Sequence, residues 1–213
     1  SFKELLDQSN KFFSKYCEFV IKSPVARGNR GTLVISKFFK NCKNYKSSRE
    51  LHMSFKYFKE NFKEIIKKNF PLVVCERLYA PSYDIDVLSN DGNILYSVAR
   101  ERINPAGVPF KGNIIRNSNI LKKLAKDACK AFHLSWLSDI DVMTNKNGKP
   151  VILEINPRAS GSSVVSMFLG VPLYKNLIQL CCSMPISSFK QPTNGKKIFS
   201  NSKNTLVANN EKK

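Results

Sequence analysis

No stretch of the 213 residues reaches the run of roughly 18 apolar positions that a membrane-spanning helix needs, and no charged segment followed by an apolar one opens the chain as a signal peptide would. No period recurs, which excludes collagen, coiled-coil arrays and repeat solenoids. Histidine is almost missing. His52 and His133 both fall in helix-like stretches away from any nucleophile pattern, so Ser-His-Asp and Cys-His catalysis lack support. The six cysteines (Cys17, Cys42, Cys75, Cys129, Cys181, Cys182) form no C-x-x-C pair and have no histidine at zinc spacing. They read as small, mostly buried residues of a reducing, cytoplasmic compartment. Acidic residues are scarce: 16 Asp+Glu stand against 35 Lys+Arg, a formal charge of +19. What remains is 42% hydrophobic and 11% aromatic, enough to build a core, in one domain or two small ones sharing an interface.

So basic a chain invites a nucleic-acid reading, and the distribution of charge weighs against it. The densest stretch, Lys37 to Lys68, holds ten basic and three acidic residues. Its lysines recur every three to four positions, with Phe55, Phe58, Phe62, Ile65 and Ile66 between them, as on a helix with one wet and one buried face. An anionic small substrate such as a nucleotide would also profit from this field.

The pattern predicts a helix over 4–16, a strand at 17–22, a Gly/Arg-bearing loop at 23–31 and a strand at 32–35. A helix over about 48–68 and a short buried strand at 72–75 follow. Two hairpins turn at Asp91-Gly92 and Asn147-Gly148, pairs that tolerate positive φ. A helix at about 120–132 lies between them, another covers about 172–183 behind Pro172, and the basic, polar stretch from 186 to 213 reads as a flexible tail. Hairpins with helices grouped between them indicate an α+β protein.

With Asn147-Gly148 as a two-residue turn, Asp141 faces Glu154 and Asp139 faces Asn156. Strand alternation then puts these four on one face and Ile140, Val142, Val151, Leu153 and Ile155 on the other, apolar one. Like charges paired across a ladder repel, so a cation belongs there. Oxygen-only ligands fit Mg²⁺ or Mn²⁺, while a solvated edge neutralised by Arg158 or a lysine is the alternative. Lys22 ends an apolar strand ahead of Arg27, Gly28, Arg30 and Gly31. Such a loop can bring backbone N–H groups to phosphate oxygens or be an ordinary hairpin tip, and it is not a Walker A sequence.

Phe19-Val20-Ile21-Lys22, Arg27-Gly28-Asn29-Arg30-Gly31, Glu76-Arg77-Leu78 and Glu154-Ile155-Asn156-Pro157-Arg158-Ala159-Ser160 together resemble the ATP-grasp superfamily, most of all its carbamoyl-phosphate-synthetase-type members. The resemblance implies an ATP-grasp fold, two α+β subdomains whose antiparallel hairpins enclose ATP: 1–72 as a lid unit, 73–185 as the metal-bearing unit, 186–213 as the tail. Lys22, Arg27, Gly28 and Gly31 would meet the phosphates, and Glu76, Arg77 and Leu78 would form the adenine hinge. Asp141, Glu154 and Asn156 would hold Mg²⁺, with Lys22 and Arg158 acting in catalysis. The implied activity is an ATP- and Mg²⁺-dependent ligase that makes an acyl phosphate from a small carboxylate for attack by an amine. Alternatives are a non-catalytic ATP-binding fragment of a larger protein and, further off, a nucleic-acid binder. The family's N-terminal domain is expected to be supplied in cis or trans, and a homodimer is possible. Near position 82 the family often carries an acidic ribose-binding residue, where this chain has Ser82.

Overall fold

In a computed structural model, residues 1–24, 31–40, 43–44, 50–66, 71–104 and 111–199 are described. The loop residues Arg27, Gly28 and Arg30 lie outside them, as do 105–110 and 200–213. Among the described residues no helix is long and apolar enough to cross a membrane.

The chain opens with α1 (Phe2–Tyr16), whose Ser1 side chain accepts from the Glu4 N–H. The antiparallel hairpin β1 (Glu18–Lys22) and β2 (Thr32–Ser36) follows as expected. The helix expected over 48–68 is divided. β3 (Lys43–Asn44) pairs with β4 (Glu50–Met53), which runs parallel to β2, before α2 (Phe55–Glu60) and α3 (Phe62–Ile66). Ser54 explains the late start, because its hydroxyl caps α2 by accepting from the Tyr57 N–H. The open edge of β2 takes up residues 50–53 instead. β5 (Val73–Cys75) pairs along the other side of β1, completing the sheet β3-β4-β2-β1-β5. Its core gathers Leu5, Phe19, Ile21, Ile35, Met53, Phe58, Phe62 and Ile66. Phe19, Phe58 and Phe62 meet edge to face, a favoured aromatic geometry. Because Phe19 and Ile21 face this core, alternation sends Lys22 to the opposite face.

The second sheet is built from β6 (Tyr79–Asn90), β7 (Asn93–Arg102), β8 (Gly112–Ile115), β9 (Trp136–Thr144), β10 (Pro150–Asn156) and β11 (Lys197–Phe199), in the order β10-β9-β6-β7-β8-β11. Asp91 (φ 45) and Gly92 (φ 74) form the expected two-residue turn between Asn90 and Asn93. α4 (Asn119–Phe132) packs Leu121, Ala125, Ala128 and Cys129 onto Ile85, Val87, Ala99, Ile140 and Val142. On the other face, Val171 and Leu173, beside α5 (Val164–Phe168) and at the start of α6 (Leu173–Cys181), cover Leu88, Tyr96, Val98, Ile115 and Leu137. Further along β6 that second face turns acidic.

Residues 186–199, expected as part of a flexible tail, lie along this sheet. Phe189 stacks edge to face on Tyr96, Asn117 bonds Pro192 and Asn194, and β11 pairs with β8. The open edge of β8 offers backbone partners that composition does not reveal.

Candidate active site

Two rows of residues cross the second sheet. Glu154, Asp141, Asp84, Arg100 and Ile115 are consecutive cross-strand partners, and beside them run Asn156, Asp139, Asp86 and Val98. The pairings Asp141–Glu154 and Asp139–Asn156 are those expected, but they arise differently. The turn carries Asn145 to Lys149, Ile152 faces Val142, and a bulge at Leu153 shifts the register so that Glu154 meets Asp141. Ile152 and Ile155 therefore face the α4 core, and Val151 and Leu153, expected there, do not take part in it.

The sheet interior supplies acids that the hairpin pattern left unassigned. Asp84 and Asp86 are buried, as is Asp139, and Asp141 is nearly so. Arg100, fully buried, forks onto Asp86 with Nε and Nη2 at 2.9 and 2.8 Å. Its Nη1 donates to Asn113 Oδ1 and to both the carbonyl and hydroxyl of Ser162. Ser166 closes on Asp86 at 2.5 Å. Arg102 donates to Asp84 from Nε (2.8 Å) and Nη2 (2.5 Å) and reaches Asp141 at 3.3 Å. Both arginines are thus partners of carboxylates. The segment after Arg158 is pinned to the sheet through Ser160, Ser162 and Ser166.

Electrostatics divide the carboxylates. Burial and the neighbouring Asp84 and Asp86 push Asp139 up to about 7. Burial and Asp139 push Asp141 up to about 9. Burial also raises Asp86. For Asp84 burial acts upward, but Arg102 and Arg100 outweigh it and hold the group below its ordinary value. Glu154 is likewise held low: burial opposes, while Asn156, Asp141, Lys22 and Arg158 prevail. Asn156 Nδ2 donates to Glu154 Oε1 at 3.1 Å. Lys22 of the first sheet thus acts on Glu154 of the second.

Glu76, Arg77 and Leu78 link β5 to β6 and so join the two sheets. Arg77 Nη1 donates to Glu18 at 2.8 Å and its guanidinium lies over the rings of Phe39 and Tyr79. Tyr79 donates its hydroxyl proton to the same Glu18. Gly31 stands at φ 74, at the start of β2. Arg158 is exposed, with Nη1 on the Ala159 carbonyl, and Ser82 is buried in β6.

Residues 68–203 match the model of a family described as ATP-grasp in the biosynthetic pathway with Ter operon. The chain belongs to this ATP-grasp family. The ATP-grasp architecture is also that of solved structures. A carboxyaminoimidazole ribonucleotide synthase from Aspergillus clavatus, complexed with ATP, aligns with a TM-score of 0.62 at 17% identity over 88% of this chain and 46% of that one. The biotin carboxylase domain of a Hydrogenobacter thermophilus 2-oxoglutarate carboxylase, complexed with MgADP and bicarbonate, gives 0.60 at 14% over 87% and 41%. An L-amino acid ligase from Bacillus licheniformis gives 0.50 at 16% over 76% and 38%. This ATP-grasp chain spans less than half the length of each of these structures. No curated protein sequence matches it.

Proposed function

We propose that this ATP-grasp chain is the nucleotide- and metal-binding part of a ligase that activates a small carboxylate with ATP. The observation that supports this is the Asp141–Glu154–Asn156 edge itself, whose Glu154 is held low in part by the charge of Lys22 on the first sheet. A carboxylate edge within the field of a lysine suits a triphosphate with its metal. Oxygen donors fit Mg²⁺ or Mn²⁺, and beside them the buried Asp139 keeps an oxygen without a hydrogen-bond partner among the described residues. Asp141, Glu154 and Asn156 would hold the ion. When bound, Mg²⁺ supplies charge neutralisation on the triphosphate.

Lys22 orients the terminal phosphates, together with Gly31 and the loop residues Arg27 and Gly28. Glu76 and the Arg77 and Leu78 backbone take the adenine, while the Arg77 side chain remains with Glu18. The substrate carboxylate oxygen attacks the γ-phosphorus and ADP departs, giving an acyl phosphate. An amine then attacks the acyl carbon, phosphate leaves, and the amine nitrogen loses its proton. Arg158, exposed and adding to the field that holds Glu154 low, stabilises the transferring phosphoryl oxygens. Such chemistry rests on positioning and charge, so no histidine base is needed.

The test is ADP release from ATP and Mg²⁺ in the presence of a panel of amino acids. Activity is expected in the wild type and in Lys196→Ala, with a loss of at least a hundredfold in Glu154→Gln. Tight ATP binding with no turnover by any substrate would instead mark a non-catalytic nucleotide-binding module.

A further inference from the structure

We infer that the first sheet carries a second ligand site, a basic and aromatic cleft that takes a small aromatic phosphate. The cleft measures about 470 Å³ and lies at the end of that sheet where β1 begins and β2 ends. Volumes of roughly 300–1,000 Å³ are usual for small-molecule sites. Lys37, Lys40, Lys56 and Lys59 line it with Phe13, Phe39 and Phe55, and among the described residues none that lines it is acidic. It is separate from Lys22. Lys37 follows β2 and donates its N–H to the Cys17 carbonyl, so it lies at the opposite end of the β1–β2 hairpin. Phe55 packs edge to face on Phe19, which alternation points away from Lys22.

The aromatic wall is built in advance. Phe13 and Phe55 stack with centroids 3.9 Å apart, and Phe39 is held by the Arg77 guanidinium (5.4 Å) and the His52 ring (5.1 Å). A flat apolar ligand therefore meets rings that need no reordering. The cations, by contrast, lack counter-ions. Among the described residues only Lys56 of the four has an acidic partner, Glu60, at 3.9 Å and with both side chains more than half exposed. Lys37 and Lys59 rest on the rings of Phe38 and Phe55 instead. Like charges gathered around one cleft repel one another, and a dianion among them relieves that repulsion. Lysine is a point charge with no fork for a planar carboxylate, so this set suits a phosphate, and the ring wall suits an aromatic body on it.

The experiment is a calorimetric titration of the full chain with 1-naphthyl phosphate, and separately with 1-naphthol and with inorganic phosphate. The wild type is expected to bind 1-naphthyl phosphate saturably and each of the other two at least tenfold more weakly. Lys37→Gln with Lys40→Gln, and Lys56→Gln with Lys59→Gln, should each weaken binding at least tenfold. Lys22→Gln, and Lys122→Gln with Lys126→Gln on α4, should change it less than twofold. The paired substitutions all fall on exposed lysines, so the fold is not at stake. No saturable binding by the wild type overturns the site, as does wild-type affinity in either cleft pair. An equal loss in the α4 pair would mean only the general field of a basic chain, and an equal loss in Lys22→Gln would place the probe beside Lys22. Equal affinity for 1-naphthol or for inorganic phosphate would mean apolar adsorption or anion capture alone. Each of these outcomes overturns the site as well. The titration needs neither ATP nor metal, so its failure leaves the ligase reading as it stands.

Discussion

Arg100 sits wholly inside the protein and is held by five hydrogen bonds, so its charge is tolerated through Asp86, Asn113 and Ser162, with Asp84 3.9 Å away. Removing one partner of such a pair strands the other. Arg100→Met is expected to cost about 3–5 kcal/mol in urea unfolding. Arg100→Met with Asp86→Leu together should recover much of it, since both charges then leave. Asp139 makes an opposite prediction. Folding lifts its carboxyl from an ordinary value of 3.8 to about 7, so the folded state keeps a proton that the unfolded chain has lost. Metal-free protein should therefore lose stability as pH rises from about 4 through 7, and Asp141, raised to about 9, carries the trend further. Asp84 and Glu154, held low, contribute stability that is lost only in stronger acid. Melting curves against pH in a chelator should show the decline, and added Mg²⁺ should restore more stability at pH 8 than at pH 5. Of these residues, Asp141, Glu154 and Asn156 were legible from the alternation around one turn. Asp84 and Asp86 alternate in the same way along β6, but nothing local says that β6 lies beside β9.

At the scale of elements, edges decide what pattern leaves open. Residues 50–53 leave the helix that their neighbours favour because β2 has a free side and Ser54 starts α2 afresh. β11 joins β8 over Gly112, where a Cβ would lie 2.1 Å from the Ile198 carbonyl oxygen and φ is +148°. Gly112→Ala should therefore detach β11. Hydrogen exchange of the 112–115 and 195–199 amides would rise together, while α4 keeps its protection. The bulge at Leu153 has a comparable effect on the site. Without it, Leu153 would face Asp141 and Glu154 would turn toward Ile140 and the core.

For the whole molecule, the connection between sheets matters most. Glu18 receives both Arg77 and Tyr79, fastening the segment that joins β5 to β6 against β1, the strand that carries Lys22. Glu18→Ala should weaken ATP binding several-fold by calorimetry and leave nucleotide-free Mn²⁺ binding unchanged. A change in Mn²⁺ affinity would mean that the carboxylate site depends on this linkage as well.

The sequence by itself determined the α+β class, the two hairpins, the acidic edge at Asp141 and Glu154 and the likeness to ATP-grasp proteins, because period and turn chemistry are local properties. Tertiary structure alone decided that β6 pairs with β9, bringing Asp84 and Asp86 beside Asp139 and Asp141, and that two arginines from β7 pair with the aspartates of β6. Five of the 16 acidic residues, Asp84, Asp86, Asp139, Asp141 and Glu154, thus share one sheet face. Which strands neighbour one another is set by burial of both faces of the whole sheet, and no single segment encodes it.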